Sequence, residues 1–303
     1  MNYLSQNKIV INSKQKILFI INPISGVGKQ KIVEKLVSTH LDKTKFDIDI
    51  AYTKRAKHAI EISVNNVNKY DIIVAVGGDG TVNEIGKNLI NSNTTLAIIP
   101  AGSGNGLARD LKISMNIKKA IMLINEGQTK LIDVVKINND YFIGTAGVGF
   151  DAYISWKFDE VSKRGFWTYL KIALKGFIKY KSLDYTVHYN GIKETIEKGM
   201  LVTFSNSKQY GNNILISPNS KIDDGLVKLI SVRKFPLIYL PVFGYYLLSK
   251  KIHQFKYTQV ITSEKIILIN PEKKIHIDGE PIEMDNKLEI EVMHKSLKVI
   301  VNE

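Results

Sequence analysis

The chain of 303 residues contains no cysteine. That excludes a disulfide framework and thiolate chemistry, and it suits a reducing compartment. A hydrophobic run long enough to span a bilayer is also missing. The longest, Phe235 to Leu248, has 14 residues and is interrupted by Pro236 and Pro241, where a spanning helix needs about 20. No transmembrane helix is expected. The stretch Met1 to Lys8 lacks the apolar core and cleavage site of a signal peptide. Acidic residues are scarce, 29 against 42 Lys and Arg, for a net charge of +13. The remainder, 44% hydrophobic and 23% charged, describes a soluble globular chain with room for one large or two ordinary domains.

The positive excess implies an anionic partner: nucleic acid, polyphosphate or an acidic membrane surface. Its distribution narrows the choice. Residues 154–181 carry seven Lys/Arg against two acids, and residues 233–257 carry five against none. Both segments are rich in aromatics, among them Trp156, Phe158, Phe177 and Tyr180, then Phe235, Tyr239, Phe243, Tyr245 and Tyr246. Basic residues interleaved with such rings suit a membrane interface. No recognised nucleic-acid motif accompanies the charge, so nucleic acid is not expected as a partner.

The organising stretch is Ile72-Ile73-Val74-Ala75-Val76-Gly77-Gly78-Asp79-Gly80-Thr81-Val82-Asn83-Glu84. An apolar run reads as a buried strand, and three glycines in four positions read as a tight turn. A helix then begins, with Thr81 placed as N-cap and Glu84 closing a capping box. Backbone N–H groups at such a helix start form an anion site. Asp79 would repel a polyphosphate, so a bridging Mg²⁺ or a hydrogen-bond donor gives it a reason to be there.

The same pattern occurs on either side. Lys16–Ile21 is a strand followed by Asn22-Pro23-Ile24-Ser25-Gly26-Val27-Gly28-Lys29 and a helix. This loop is not a Walker A, because Pro23 replaces the first glycine and Gln30 the Ser/Thr. Leu96–Pro100 leads into Ala101-Gly102-Ser103-Gly104-Asn105-Gly106, and another helix contains Arg109. Alternating strands and helices over about 130 residues predict a doubly wound parallel sheet with its loops gathered on one rim. From Leu131 onward short strands and hairpins predict a second, mostly antiparallel β domain over 131–296, including an Asn190-Gly191 turn of type I′ chemistry. Two acidic turns stand out there: Lys221-Ile222-Asp223-Asp224-Gly225-Leu226 and His276-Ile277-Asp278-Gly279-Glu280-Pro281. A carboxylate on a tight turn between two strands is rigidly aimed, as a general base must be.

Taken in order, Asn22–Gly26, Gly77-Gly78-Asp79-Gly80-Thr81 with Asn83-Glu84, Pro100–Asn105, Gly147-Val148-Gly149-Phe150-Asp151, Asp223-Asp224-Gly225 and Asp278-Gly279-Glu280 resemble the bacterial lipid kinases of the diacylglycerol and sphingosine kinase superfamily. The resemblance spans about residues 15–302. It implies an α/β N-terminal domain of the NAD kinase/phosphofructokinase-like type over 1–130, a β-sandwich C-terminal domain, and a last strand (about 297–303) returning to the first domain.

The resemblance further implies ATP and Mg²⁺ as cofactors and a membrane lipid as acceptor. ATP phosphates would lie near Asn22, Pro23, Ser25, Gly26, Lys29 and the Gly77, Gly78, Asp79, Gly80, Thr81, Asn83 loop. Thr53, Gly102, Ser103, Asn105 and Arg109 would complete the nucleotide site. Asp79 would position Mg-ATP, and Glu280, assisted by Asp278, would be the general base. Asp224, with the carbonyls of Lys221 and Leu226, matches a structural Mg²⁺ site. Gly106 stands where many diacylglycerol kinases carry Asp, and Tyr153 stands where an acid for a sphingoid amine is sought. The reading favours diacylglycerol, with a sphingoid base or other lipid alcohol as alternative. A soluble NAD kinase and a non-catalytic membrane-binding protein are the readings of other classes. A cytoplasmic protein peripherally bound to the inner face of the cell membrane is expected, and a homodimer is compatible with it.

Overall fold

The structure, a computed structural model, describes residues 14–25, 32–161, 166–211 and 214–302. The first half alternates: β1 (Gln15–Ile21), α1 (Val33–His40), β2 (Phe46–Tyr52), α2 (His58–Asn66), β3 (Ile72–Gly77), α3 (Asp79–Gly86), β4 (Thr95–Pro100), α4 (Gly106–Asp110) and α5 (Ile117–Glu126). All six residues of β3 and of β4 are buried, as expected of central strands covered by helices on both faces. The strands run parallel in the order β2-β1-β3-β4. Helix α1 packs on α5 and α2 on α3. The C-terminal ends at Ile21, Gly77 and Pro100 therefore share one rim.

Hairpins dominate the second half. Its elements are β5 (Thr129–Ile137), β6 (Asp140–Phe142), β7 (Thr145–Gly149), α6 (Phe150–Asp159), α7 (Phe166–Lys179), β8 (Leu183–Tyr189), β9 (Ile192–Ser205), β10 (Gln209–Gly211), β11 (Ile214–Leu215), β12 (Val227–Arg233), α8 (Leu240–Leu248), β13 (Thr258–Ser263), β14 (Lys265–Ile269), β15 (Lys274–Ile277), β16 (Glu280–Glu283) and β17 (Lys287–Ile300). The β8–β9 turn has φ of 47° at Asn190 and 76° at Gly191, the left-handed pair of a type I′ turn. The fold is thus an α/β doubly wound layer followed by a mostly antiparallel β-sandwich.

Strand β17 joins the two. It pairs antiparallel with β14 and β5, then parallel with β4 through Val299 and Leu96. A register shift between Met293 and Leu297, with Lys295 at φ 50°, is a bulge that bends this 14-residue strand from one core into the other. Its side chains follow. Leu288 and Ile290 are buried in the sandwich core, whereas Leu297, Val299 and Ile300 are buried in the α/β core.

Some expectations are corrected. The sequence reads as separate strands at Ile192–Ile196 and Leu201–Asn206, but β9 is one strand over Ile192–Ser205, because the irregularity at Lys198, with φ 50°, kinks the pairing without ending it. Helix α3 starts at Asp79 with Gly78 as its N-cap and no side-chain cap. Thr81 is therefore inside the helix: its Oγ1 accepts from Asn22 Nδ2 at 3.0 Å. Glu84 faces the backbone N–H groups of Lys57 and Ala59 at the start of α2. Most of the described aromatic residues of the two basic segments, finally, pack into a third core; the side chains of Phe166, Trp167 and Tyr169 lie outside the described residues. Phe150, Phe177, Phe235 and Phe255 are buried, with Tyr153, Tyr180, Tyr239, Phe243, Tyr246 and Tyr257 packed against them. Lys234 closes this cluster: its Nζ donates to Phe177 O and Tyr180 O at the α7 C-terminus and lies 4.7 Å over the Phe177 ring.

Leu297→Ala removes a fully buried side chain at the seam and is expected to destabilise by about 2–5 kcal/mol, read as a lower urea midpoint. A loss below about 0.5 kcal/mol would mean that the seam carries little of the fold.

Candidate active site

The site lies on the rim shared by β1, β3 and β4. After β3 the chain turns through Gly77 and Gly78 into α3, and after β4 it turns through Gly102 into α4. These turns touch: a Cβ on Gly102 would lie 2.4 Å from Gly78 Cα, so only glycine permits the approach. Asn105, at φ 51°, closes its own loop by accepting from Gly102 N at 3.1 Å and donating to Gly102 O at 2.8 Å. Arg109 Nε donates to Gly104 O at 3.1 Å. Asp79 joins the two loops, its Oδ1 accepting from Gly106 N at 2.7 Å. This amide supplies the donor that its place in a phosphate loop calls for. Burial pushes its carboxyl up, with the charge on Asp278 adding to the rise and the amide opposing it.

The first loop is tied to the same turn. Asn22 N–H donates to Val76 O, and the Asn22 side chain bridges Thr81 Oγ1 and Ile24 N. Pro23 is exposed and Ser25 half-buried beside it. Gly26 and Lys29 lie outside the described residues. Thr53 is buried at the end of β2, its N–H donating to Ile21 O. Ser103 is exposed and lines the cavity described below.

The β15–β16 turn brings the second half to this rim. Asp278 and Gly279 have φ of 46° and 86°, again a type I′ pair that fixes the direction of the next side chain. Asp278 Oδ2 accepts from Asn83 Nδ2 at 2.7 Å and Ile143 N at 2.9 Å. Its Oδ1 accepts from Gly144 N and Thr145 N, both at 2.8 Å. Burial pushes the Asp278 carboxyl up and these donors oppose the rise. Each donor uses a lone pair of the carboxyl and so favours its anionic form against the effect of burial. With its oxygens occupied, Asp278 positions rather than accepts protons.

Glu280 is different. Its Oε1 would lie 2.5 Å from a Cβ on Gly80, which puts the carboxyl beside the α3 N-terminus. Burial raises its pKa, Glu84 and Asp278 raise it further, and Lys87 and Lys57 oppose. A carboxyl so raised and so little engaged is suited to take a proton.

Next to these groups a cavity of about 350 Å³ opens between the halves. Asp79, Asn83 and Asp278 line it together with Asp151, Tyr210 and His276, and its wall is otherwise largely apolar, with Phe150, Ile154, Phe158, Leu201, Phe243 and Leu247.

Residues 16–137 match the diacylglycerol kinase catalytic domain family, and residues 144–301 match the YegS C-terminal NAD kinase beta sandwich-like domain. The chain belongs to the diacylglycerol-kinase family of lipid kinases. A diacylglycerol kinase of Staphylococcus aureus (strain NCTC 8325 / PS 47) is 28% identical over 279 residues, covering 88% of this chain and 86% of that protein. Two crystal structures of Bacillus anthracis str. Sterne proteins named as diacylglycerol kinases superpose on it. One is 26% identical with a TM-score of 0.76 and the other 24% identical with 0.74, and both cover 95% of this chain and 97% of theirs.

The proposed Mg²⁺ loop is placed away from side-chain clusters. Asp224 is exposed and its Oδ1 accepts from Leu226 N at 3.1 Å. No group of three or more His, Asp or Glu side chains able to hold a metal gathers among the described residues. A donor set of one carboxylate with the carbonyls of Lys221 and Leu226 is all oxygen, which suits a Mg²⁺ that keeps most of its water.

Sequence reasoning gave no role to Asp133, which is fully buried and accepts from Gly225 N, Lys295 N and His294 Nδ1 at 2.7 to 2.8 Å. Nor did it give one to the buried pair of Asp151 and His276. No local pattern links residues so far apart in the chain.

Asn83→Ala strips one donor from the half-buried Asp278 carboxyl and is expected to cost about 0.5–1.5 kcal/mol, seen as a lower melting temperature. A melting temperature equal to that of the parent would show that the contact is not part of the folded-state balance.

Proposed function

We propose that this lipid kinase transfers the γ-phosphate of ATP, with Mg²⁺, to the free hydroxyl of a neutral membrane lipid, diacylglycerol first. The observation that carries this reading is the largely apolar cavity that Asp79, Asn83 and Asp278 also line, with Glu280 beside them. Its apolar wall suits acyl chains and its polar groups suit one hydroxyl. ATP phosphates would lie over the Gly77–Gly80 and Gly102–Gly106 turns at the start of α3 and α4, with Asn22 and Ser103 at their flanks. Phosphoryl transfer demands positioning and neutralisation of charge more than covalent chemistry. Bound Mg²⁺ would supply part of that neutralisation. Glu280 takes the hydroxyl proton as the oxygen attacks phosphorus in line, and Asp278 holds the turn that carries it.

Labelled γ-phosphate should pass from Mg-ATP to diacylglycerol in vesicles, preferred over sphingosine, ceramide, undecaprenol and NAD, and not without Mg²⁺. Glu280→Ala should lower turnover by about 100-fold or more. The base must be ionised, and its pKa is raised. Hence kcat/KM is level above that pKa and falls as pH drops through it, at a higher pH than for an ordinary glutamate. Label on NAD alone, or full turnover in Glu280→Ala, would overturn the substrate or the base, respectively.

The outer surface favours an anionic membrane as the lipid source. No residue of α8 is buried. Leu237, Ile238, Val242, Tyr245 and Leu248 are exposed, Ile238 at 81% and Leu248 at 75%, while Phe243 and Leu247 line the cavity. Lys250, Lys251 and Lys256 flank this face, with no acid between residues 233 and 257. No helix among the described residues is long and apolar enough to cross a membrane. Burying each exposed aliphatic side chain in lipid is worth roughly 1.5–3 kcal/mol. Ile238→Glu with Leu248→Glu should abolish binding to anionic vesicles yet leave turnover of a water-soluble short-chain diacylglycerol unchanged. Undiminished vesicle binding would place the docking face elsewhere.

A further inference from the structure

Helix α6 presents two faces to the reaction. Phe150, Ile154 and Phe158, four residues apart, line the cavity. Asp151 and Ser155 line it too, and with Trp156 they also engage the β15–β16 hairpin. Ser155 Oγ donates to Gly279 O at 2.5 Å, and Trp156 Nε1 donates to Ile275 O at 3.1 Å. His276 Nε2 stands 2.9 Å from Asp151 Oδ2. The same carboxylate oxygen accepts from Thr203 Oγ1 and from the Tyr210 hydroxyl, each at 2.6 Å.

On the other side of the imidazole, Gly279 N–H donates to Nδ1 at 3.3 Å. A backbone N–H only donates, so Nδ1 offers its lone pair to Gly279, while Nε2 faces Asp151 Oδ2 by charge and proximity rather than through a hydrogen bond. Burial by itself would push the Asp151 carboxyl up, but His276 and the two hydroxyls hold it below the usual carboxylate range. The pair is packed tightly under β7: a Cβ on Gly147 would lie 2.2 Å from Asp151 Oδ2 and 2.6 Å from His276 Nε2. Both polar atoms of Gly279 are thus held, one through Ser155 and the other through His276 and Asp151. The next residue is Glu280.

We propose that Asp151, His276 and Ser155 are positioning residues for the base: a strut from α6 that fixes Gly279, and therefore the Glu280 carboxyl, at the reacting hydroxyl. One helix then sets both the wall of the lipid cavity and the place of the base. The inference rests on the reading of Glu280 as base and goes beyond it by naming what aims it. A strut of this kind acts only through Glu280, whereas a merely structural contact acts on the fold.

The test is a double-mutant cycle on the full chain, with Mg-ATP and diacylglycerol in vesicles. Ser155→Ala is expected to lower kcat about tenfold or more with the KM for ATP unchanged. It should also move the acid limb of kcat/KM to lower pH, because a loosened carboxyl leaves the burial and the Glu84 and Asp278 charges that raise its pKa. Ser155→Thr, which keeps the hydroxyl, should restore both. Placed on Glu280→Ala, Ser155→Ala should cost nothing further in the residual rate. His276→Gln is the second variant and should follow the same pattern. Unchanged kcat and acid limb in Ser155→Ala beside an inactive Glu280→Ala would overturn the strut alone. Equal fold losses in both backgrounds would overturn it too. Full turnover in Glu280→Ala would overturn the base, and the strut with it.

Discussion

A carboxylate taken out of water is several kcal/mol too costly unless its lone pairs are used. Asp278 meets that constraint with four N–H donors drawn from two parts of the chain: Asn83 on α3, and Ile143, Gly144 and Thr145 between β6 and β7. None of those groups can move far without leaving a buried charge unpaired. The first glycine turn, the start of β7 and the β15–β16 hairpin are therefore fixed to one another by a single side chain. The site between the two halves exists because that charge has to be satisfied there.

The same constraint separates two acids only two residues apart. Both are pushed up by burial, but Asp278 is surrounded by donors that oppose the rise, whereas at Glu280 two neighbouring negative charges add to it and lysines only partly oppose. Carboxyls set in such different surroundings are suited to different tasks. Asp79 is a third case, spent on tying the α3 and α4 turns together through Gly106 N. Three acids in one cleft thus divide into a loop clasp, a turn anchor and a group left free enough to exchange a proton.

What the sequence made legible is what local chemistry decides. The apolar runs of β3 and β4 read as buried parallel strands, Asn190-Gly191 as a hairpin turn, and the glycines after β3 as a tight turn. The misreadings share a cause. Thr81 looks like an N-cap until Asn22, 59 residues away, takes its oxygen. Strand β17 begins at Lys287 rather than Leu297, because the bulge at Lys295 interrupts the alternation of a strand that serves two cores. Asp151 and His276 each read as isolated polar residues, since only the folded chain sets them 2.9 Å apart. Long-range partners decide these positions, and no window of neighbouring residues contains them.

The aromatic residues carry the same lesson to the surface. Interleaved with lysine, they looked like a headgroup belt, yet stacking among Phe150, Phe177, Phe235 and Phe255 removes these four from water, while Tyr245 stays exposed. What this packed cluster leaves outside is a thin aliphatic edge on and beside α8. Such an edge gains its orientation from the rings beneath it, because a short helix with no buried residue has little stability of its own. Phe243 and Leu247 face the cavity while Leu248 and Ile238 face outward. Outward-facing and cavity-lining residues are then two sides of one element, so an apolar ligand docked on the outer edge would meet apolar contacts into the cavity rather than expose its chains to water.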